Sequence, residues 1–93
     1  MTFETYELIP TDGRKSFYGK ARVYLNPIGD EFLFSYETCV AVRYKNGEIA
    51  RLWGGWSATT GRHIKAFCGM NKSEFERLPR SDVDPIKLLC KEA

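Results

Sequence analysis

Ninety-three residues are enough for one domain of ordinary size and not for two, so any activity is expected to sit on a single small core spanning 1–93. Hydrophobic residues at 43% and charged residues at 28% describe a globular chain, because a disordered one would be poorer in aromatics and larger in net charge. A net charge of +2 does not by itself announce a nucleic-acid binder, and no apolar stretch approaches the roughly 20 residues of a membrane helix.

Met1-Thr2-Phe3-Glu4-Thr5 lacks the basic and then apolar regions of a signal peptide, so the expected location is the cytoplasm, with no membrane partner. Cys39, Cys68 and Cys90 are far apart, with no C-x-x-C and one histidine in the chain. That spacing argues against a disulfide framework and against a zinc cage, and the cysteines read as small buried hydrophobes with no metal or cofactor to hold. Charge is unevenly spread. Between Arg43 and Lys72 six basic residues face one acid, Glu48, while the chain from Ser73 onward collects five acids.

In chain order, the first strand is expected at 3–9, ending before Pro10, with a turn at 11–13. A second strand follows at 16–25, where Phe17, Gly19, Ala21, Val23 and Leu25 alternate with Tyr18, Lys20, Arg22 and Tyr24. The stretch from Asn26 to Asp30 supplies proline and glycine for a turn onto a long third strand at 31–45, expected to bend or bulge on the way. Asn46-Gly47 is the dipeptide of a two-residue type I′ hairpin. That loop sets Lys45 against Glu48, Tyr44 against Ile49, Val42 against Arg51 and Val40 against Trp53. One face would then carry Phe32, Phe34, Val40, Val42, Tyr44, Ile49 and Trp53, and the other Cys39, Ala41, Ala50 and Leu52. The second, smaller face suits a closely packed helix.

Ser57 is positioned to cap a helix over Ala58–Cys68, where Ile64, Phe67 and Cys68 form an apolar stripe before Gly69. Gly61 inside it costs about 1 kcal/mol relative to alanine. Ser73-Glu74-Phe75-Glu76 reads as a capping box for a short helix stopped by Pro79. Asp84-Pro85 begins a last one, with Ile86, Leu89 and Cys90 on one face. The expected fold is α+β: an antiparallel meander of about four strands packed against two or three short C-terminal helices.

Phe17-Tyr18-Gly19-Lys20-Ala21, Ser35-Tyr36-Glu37-Thr38, the run Leu52-Trp53-Gly54-Gly55-Trp56-Ser57-Ala58-Thr59-Thr60, Arg62-His63-Ile64 and Phe67 resemble a family of small uncharacterised domains from bacteriophages, prophages and other mobile elements. The resemblance covers 16–79, about two-thirds of the chain, and Gly61 and the tail at 80–93 fall outside its pattern. It implies no enzymatic activity. Small mobile-element proteins of this kind often inhibit host defence systems, anti-CRISPR proteins among them. The resemblance therefore implies a host protein, foremost a defence nuclease complex, as partner.

The hydroxyls and amides of Ser57, Thr59 and Thr60 either satisfy their own helix start or hold an anion with help from Arg51, Arg62 and His63; the first reading needs no ligand. His63 is the single histidine, and no cysteine or carboxylate stands at a spacing that makes a nucleophilic set with it, so it is expected to bond to the sheet or the terminal helix and no catalytic residue is assigned. The row Tyr18, Lys20, Arg22 and Tyr24, extended by Arg43 and Lys45, is either a solvated sheet face or a platform for stacking bases and neutralising phosphates. Exposed aromatics and arginines dominate interface energy, so Tyr18, Tyr24, Trp56 and Arg62 are expected on a protein-binding surface, with Lys20, Arg22, Arg43 and Arg51 as further contacts. Either a monomer or a homodimer fits.

Overall fold

The structure is a computed structural model that describes residues 4–10 and 19–89, and of Leu88 and Leu89 the backbone alone. It is an α+β fold. Five strands, β1 (Glu4–Glu7), β2 (Ala21–Leu25), β3 (Glu31–Ser35), β4 (Thr38–Arg43) and β5 (Ile49–Arg51), precede three helices, α1 (Ala58–Cys68), α2 (Lys72–Arg77) and α3 (Pro85–Leu89). The strands form one antiparallel meander in chain order. Phe3, the turn at 11–13, the start of the second strand at 16–18 and Cys90 lie outside the described residues.

The third expected strand is two strands. Tyr36 and Glu37 reverse the chain so that Ser35 pairs with Thr38. Residues 31–45 would have made a strand well beyond the usual 3–10 residues, and folding them back doubles the backbone pairing. The expected bulge is there: Leu33 pairs with Ala41 but Phe34 with Cys39, which leaves Val40 as the extra residue.

Asn46-Gly47 does close the next hairpin, one residue away from the expected register. The Gly47 amide donates to the Tyr44 carbonyl at 2.8 Å and the Tyr44 amide to Glu48 at 2.8 Å, so the loop holds three residues, with Gly47 at φ 93°. This is the turn that ends in a left-handed glycine bulge rather than the two-residue type. The observed partners are therefore Arg43 with Ile49, Val42 with Ala50 and Ala41 with Arg51. The slip exchanges the faces of β5, and the bulge at Val40 exchanges those of Cys39 and Val40 on β4. Cys39, Ala50 and Leu52, expected beneath the helix, pack on the opposite side with Phe32, Phe34, Val42 and Tyr44. Val40 and Trp53 join the helix side, with Val23, Leu33 and Ala41. Both the Leu52 and Trp53 amides donate to the Val40 carbonyl, at 3.0 and 3.2 Å.

Helix α1 follows its local signals. The Ser57 hydroxyl accepts from the Thr60 amide at 3.1 Å, and Gly69 ends the helix at φ 76°, its amide donating to Lys65. Ile64 and Phe67 are buried against Val23, Leu33 and Ala41, each contributing roughly 1.5–3 kcal/mol through the apolar area removed from water. The capping box of α2 sits two residues earlier than expected: the Asn71 side chain accepts from the Glu74 amide and Glu74 answers at the Asn71 amide. Asn71 takes the role two residues after the αL glycine, where its backbone is already extended. At α3, Asp84 Oδ1 accepts from the Ile86 amide at 2.9 Å, and Ile86, expected on a packed face, is 60% exposed.

Candidate functional site

The end of the sheet where β3 turns into β4 brings Lys20 and His63, two of the residues singled out by sequence, to either side of Tyr36. Tyr36 is the non-glycine residue with positive φ among the described residues, at 56°, and its side chain is 54% exposed. A bulky residue in this region is an outlier that the surroundings must impose. They do so from two sides. The Tyr36 amide donates to the Lys20 carbonyl at 2.7 Å, and the ring lies tilted on His63 with centroids 6.0 Å apart. Lys20 Nζ stands 5.7 Å from the ring centroid on the surface, in reach of a cation–π contact.

His63 lies beneath this knuckle and is 1% exposed. Its Nδ1 and the Ser35 hydroxyl are 2.8 Å apart, and the same hydroxyl is 2.9 Å from Thr60 Oγ1. The histidine therefore bonds to the sheet, as one of the two expected partners. Burial and the charge of Arg62 hold its pKa below the ordinary histidine value. Thr60 was expected to serve its own helix start, and its hydroxyl instead closes the Ser35–His63 relay. Of the expected cap hydroxyls, Ser57 performs that role.

The expected row of cations divides by register. Lys20 and Arg22 are exposed, with Arg22 Nη2 3.5 Å from Glu7 Oε1 and its Nε donating to the Gly19 carbonyl. Tyr24 shares that face but is half-buried, its ring edge-on to Phe34 at 5.1 Å. Arg43 does not extend the row. It lies on the helix side, where Nη2 donates to Glu31 at 2.7 Å and Nη1 to the Phe67 carbonyl at 2.8 Å, with the guanidinium 4.5 Å from the Phe67 ring centroid. Arg51 also faces the helices, 5.9 Å from the Phe75 ring centroid. Tyr18 lies outside the described residues.

Trp56 and Arg62, expected as exposed contacts, are half-buried. The Trp56 indole packs into the core beside Phe75, centroids 6.0 Å apart, and covers Gly61. Gly55 makes room for the Trp53 ring and Gly54 for the side chain of Arg80. The W-G-G-W run therefore encodes the packing of two indoles, and that explains its spacing without a ligand.

A family model described as "Family of unknown function (DUF8033)" matches residues 6–84. The chain belongs to this family. The DUF8033 match runs from β1 to the residue before α3, so it takes in both the Tyr36 knuckle and the Trp56–Gly61 packing. No curated protein and no solved structure matches the chain. Among the described residues no helix is long and apolar enough to cross a membrane.

Sequence reasoning missed Tyr36 as a surface anchor because it lay inside the expected third strand. The signal that could have found it was length: fifteen residues of strand interrupted by the polar run Ser35-Tyr36-Glu37-Thr38.

Proposed function

We propose that this DUF8033 chain is a non-catalytic binding module of a phage or mobile element that inhibits a host defence nuclease, of the CRISPR effector class, by occupying its surface. Tyr36 is the observation that carries the reading. An exposed tyrosine held at positive φ, with Lys20 beside its ring, is a rigid aromatic anchor whose conformational cost is met before any partner arrives. The resemblance of the W-G-G-W-S-A-T-T run and its neighbours to mobile-element domains supplies the class of partner.

The groups that would otherwise suggest chemistry are committed elsewhere. His63 is buried and bonded to Ser35, and burial pushes the Cys39 thiol up to about 12, where the reactive thiolate is scarce at neutral pH. The nucleic-acid reading keeps Lys20 and Arg22 but loses Arg43, which is engaged by Glu31 and Phe67 on the other side of the sheet. A steric inhibitor of net charge +2 relies on aromatic contact rather than on imitation of a phosphate backbone, so its binding should respond weakly to salt, whereas phosphate contacts weaken steeply.

The test is plating efficiency. Bacteria carrying a defined CRISPR nuclease are challenged with a phage that nuclease cuts, with and without this chain. The expected result is that the wild-type chain restores plaques and Tyr36→Ala, folded normally, does not. Failure of the wild-type chain against every effector class tried would remove the proposed target, and full potency of Tyr36→Ala would remove the proposed surface.

A further inference from the structure

A pair of arginines on the β5 edge lies apart from the Tyr36 knuckle and does not depend on the reading given to it. After α2 the chain returns alongside β5, so that Arg80 pairs with Arg51 in a parallel bridge and the Ser81 amide donates to the Arg51 carbonyl at 2.7 Å. Residues paired in this way project their side chains to the same face. The two side chains thus start from neighbouring backbone positions.

Each group is held by its stem. The Arg51 guanidinium rests 5.9 Å from the Phe75 ring centroid, and its Nε is buried with no hydrogen-bond partner. Arg80 Nε donates to the Leu52 carbonyl at 3.3 Å, and its chain lies along Gly54, where a Cβ would stand 3.5 Å from Arg80 Cδ. Among the described residues neither guanidinium forms an ion pair, whereas Arg22 and Arg43 each meet a glutamate. Two cations at paired backbone positions, neither beside a carboxylate among the described residues, favour an anion between them.

We infer that Arg51 and Arg80 form a binding site for a phosphoryl group. A doubly charged phosphate balances the two guanidiniums, which a singly charged carboxylate does not, and its three free oxygens suit donors arriving from two directions. The Nη groups of both arginines supply the contacts, since Arg80 Nε is already engaged with Leu52.

The experiment follows the side-chain Nε–Hε signals of Arg51 and Arg80 in 15N-labelled full-length chain by NMR, titrated at low salt with inorganic phosphate, adenosine monophosphate or acetate. Phosphate is expected to shift both signals saturably in the millimolar range, and acetate to leave them unsaturated. Lysine keeps the charge but not the fork, so Arg51→Lys and Arg80→Lys are each expected to weaken binding about tenfold. Arg80 is exposed, so Arg80→Lys spares the core and decides the question even if Arg51→Lys unfolds. Equal affinity for phosphate and the nucleotide supports a site that reads the phosphoryl group alone, and tighter nucleotide binding supports one that reads it on a larger ligand. Acetate matching phosphate, no saturation with phosphate, or the same titration in Arg80→Lys overturns the inference.

Discussion

The indole of Trp56 occupies the space that a side chain at position 61 would need. A Cβ built on Gly61 would stand 2.7 Å from Trp56 Cε2, closer than real Cβ atoms approach their neighbours. Since Gly61 sits in the middle of α1, the helix gives up about 1 kcal/mol of propensity there. What it gains is a flat bed for the indole, which in turn backs Phe75 of α2.

Gly61→Ala therefore should not behave as helix propensity dictates. It is expected to destabilise the chain by about 1–3 kcal/mol, because the indole must move out of a packed cluster. Removing the ring first by Trp56→Ala should turn the same Gly61→Ala change from harmful to neutral or favourable. Urea denaturation of the two single variants and the double one checks this, and strict additivity would refute the contact.

This relationship also shows which parts of the fold were legible. Helix α1 could be placed from letters alone, since Ser57, the Ile64–Phe67 stripe and Gly69 act within a few residues of one another. The hairpin at Asn46-Gly47 could be seen but not its register. The same dipeptide serves a two-residue loop and a three-residue loop, and Gly47 at φ 93° fits either. The consequence of that one residue, Ala50 turning away from α1, was lost with it. Tyr36 was illegible for another reason: its turn holds no glycine, proline or asparagine, and its φ is imposed by the Lys20 carbonyl and the His63 ring from distant parts of the chain.

Arg43 joins the sheet to the last turn of α1, where a cation also meets the negative end of the helix dipole. Arg43→Ala is expected to cost about 2 kcal/mol, since it removes the hydrogen bond to the Phe67 carbonyl, the stacking on the Phe67 ring and the Glu31 pair together. Glu31→Gln should cost less, about 0.5–1 kcal/mol, because the pair is partly exposed. The hydrogen bond from Arg43 lowers the Glu31 pKa below its ordinary 4.5. The folded state thus holds Glu31 charged where the unfolded chain begins to protonate. The stabilisation is full above about 4.5 and is lost as pH falls through the folded value. Denaturation profiles of wild type and Glu31→Gln should converge in acid, and parallel profiles would contradict the assignment.

His63 should give a separate step at higher pH. Its pKa is lowered in the fold from 6.5, so the unfolded chain takes up a proton more readily than the folded one. Stability is accordingly full above about 6.5 and declines as pH falls below it, well before Glu31 contributes. Replacing the imidazole by an amide, His63→Asn, should remove that step while keeping a partner for the Ser35 hydroxyl. Ser35→Ala, which leaves the His63 Nδ1 and the Thr60 hydroxyl without it, is expected to cost about 1–3 kcal/mol at neutral pH. Thermal melts between pH 5 and 8 distinguish the two, and a flat wild-type profile there would mean that His63 is not the buried neutral group described.

Tyr36 sets stability against binding. Glycine adopts positive φ without the clash that a tyrosine Cβ makes with its own backbone, a difference of about 1–2 kcal/mol, part of which is returned when the ring contacts to His63 and Lys20 disappear. Tyr36→Gly is expected to raise stability by about 0.5–1 kcal/mol while abolishing the proposed inhibition of a host nuclease. Tyr36→Phe should retain the strain and most of the inhibition, since the anchor is the ring and not the hydroxyl. A strain with no function would be removed at no loss by the glycine. If Tyr36→Gly proves more stable and equally active, the unusual backbone serves neither folding nor binding, and the knuckle is not the surface that meets the partner.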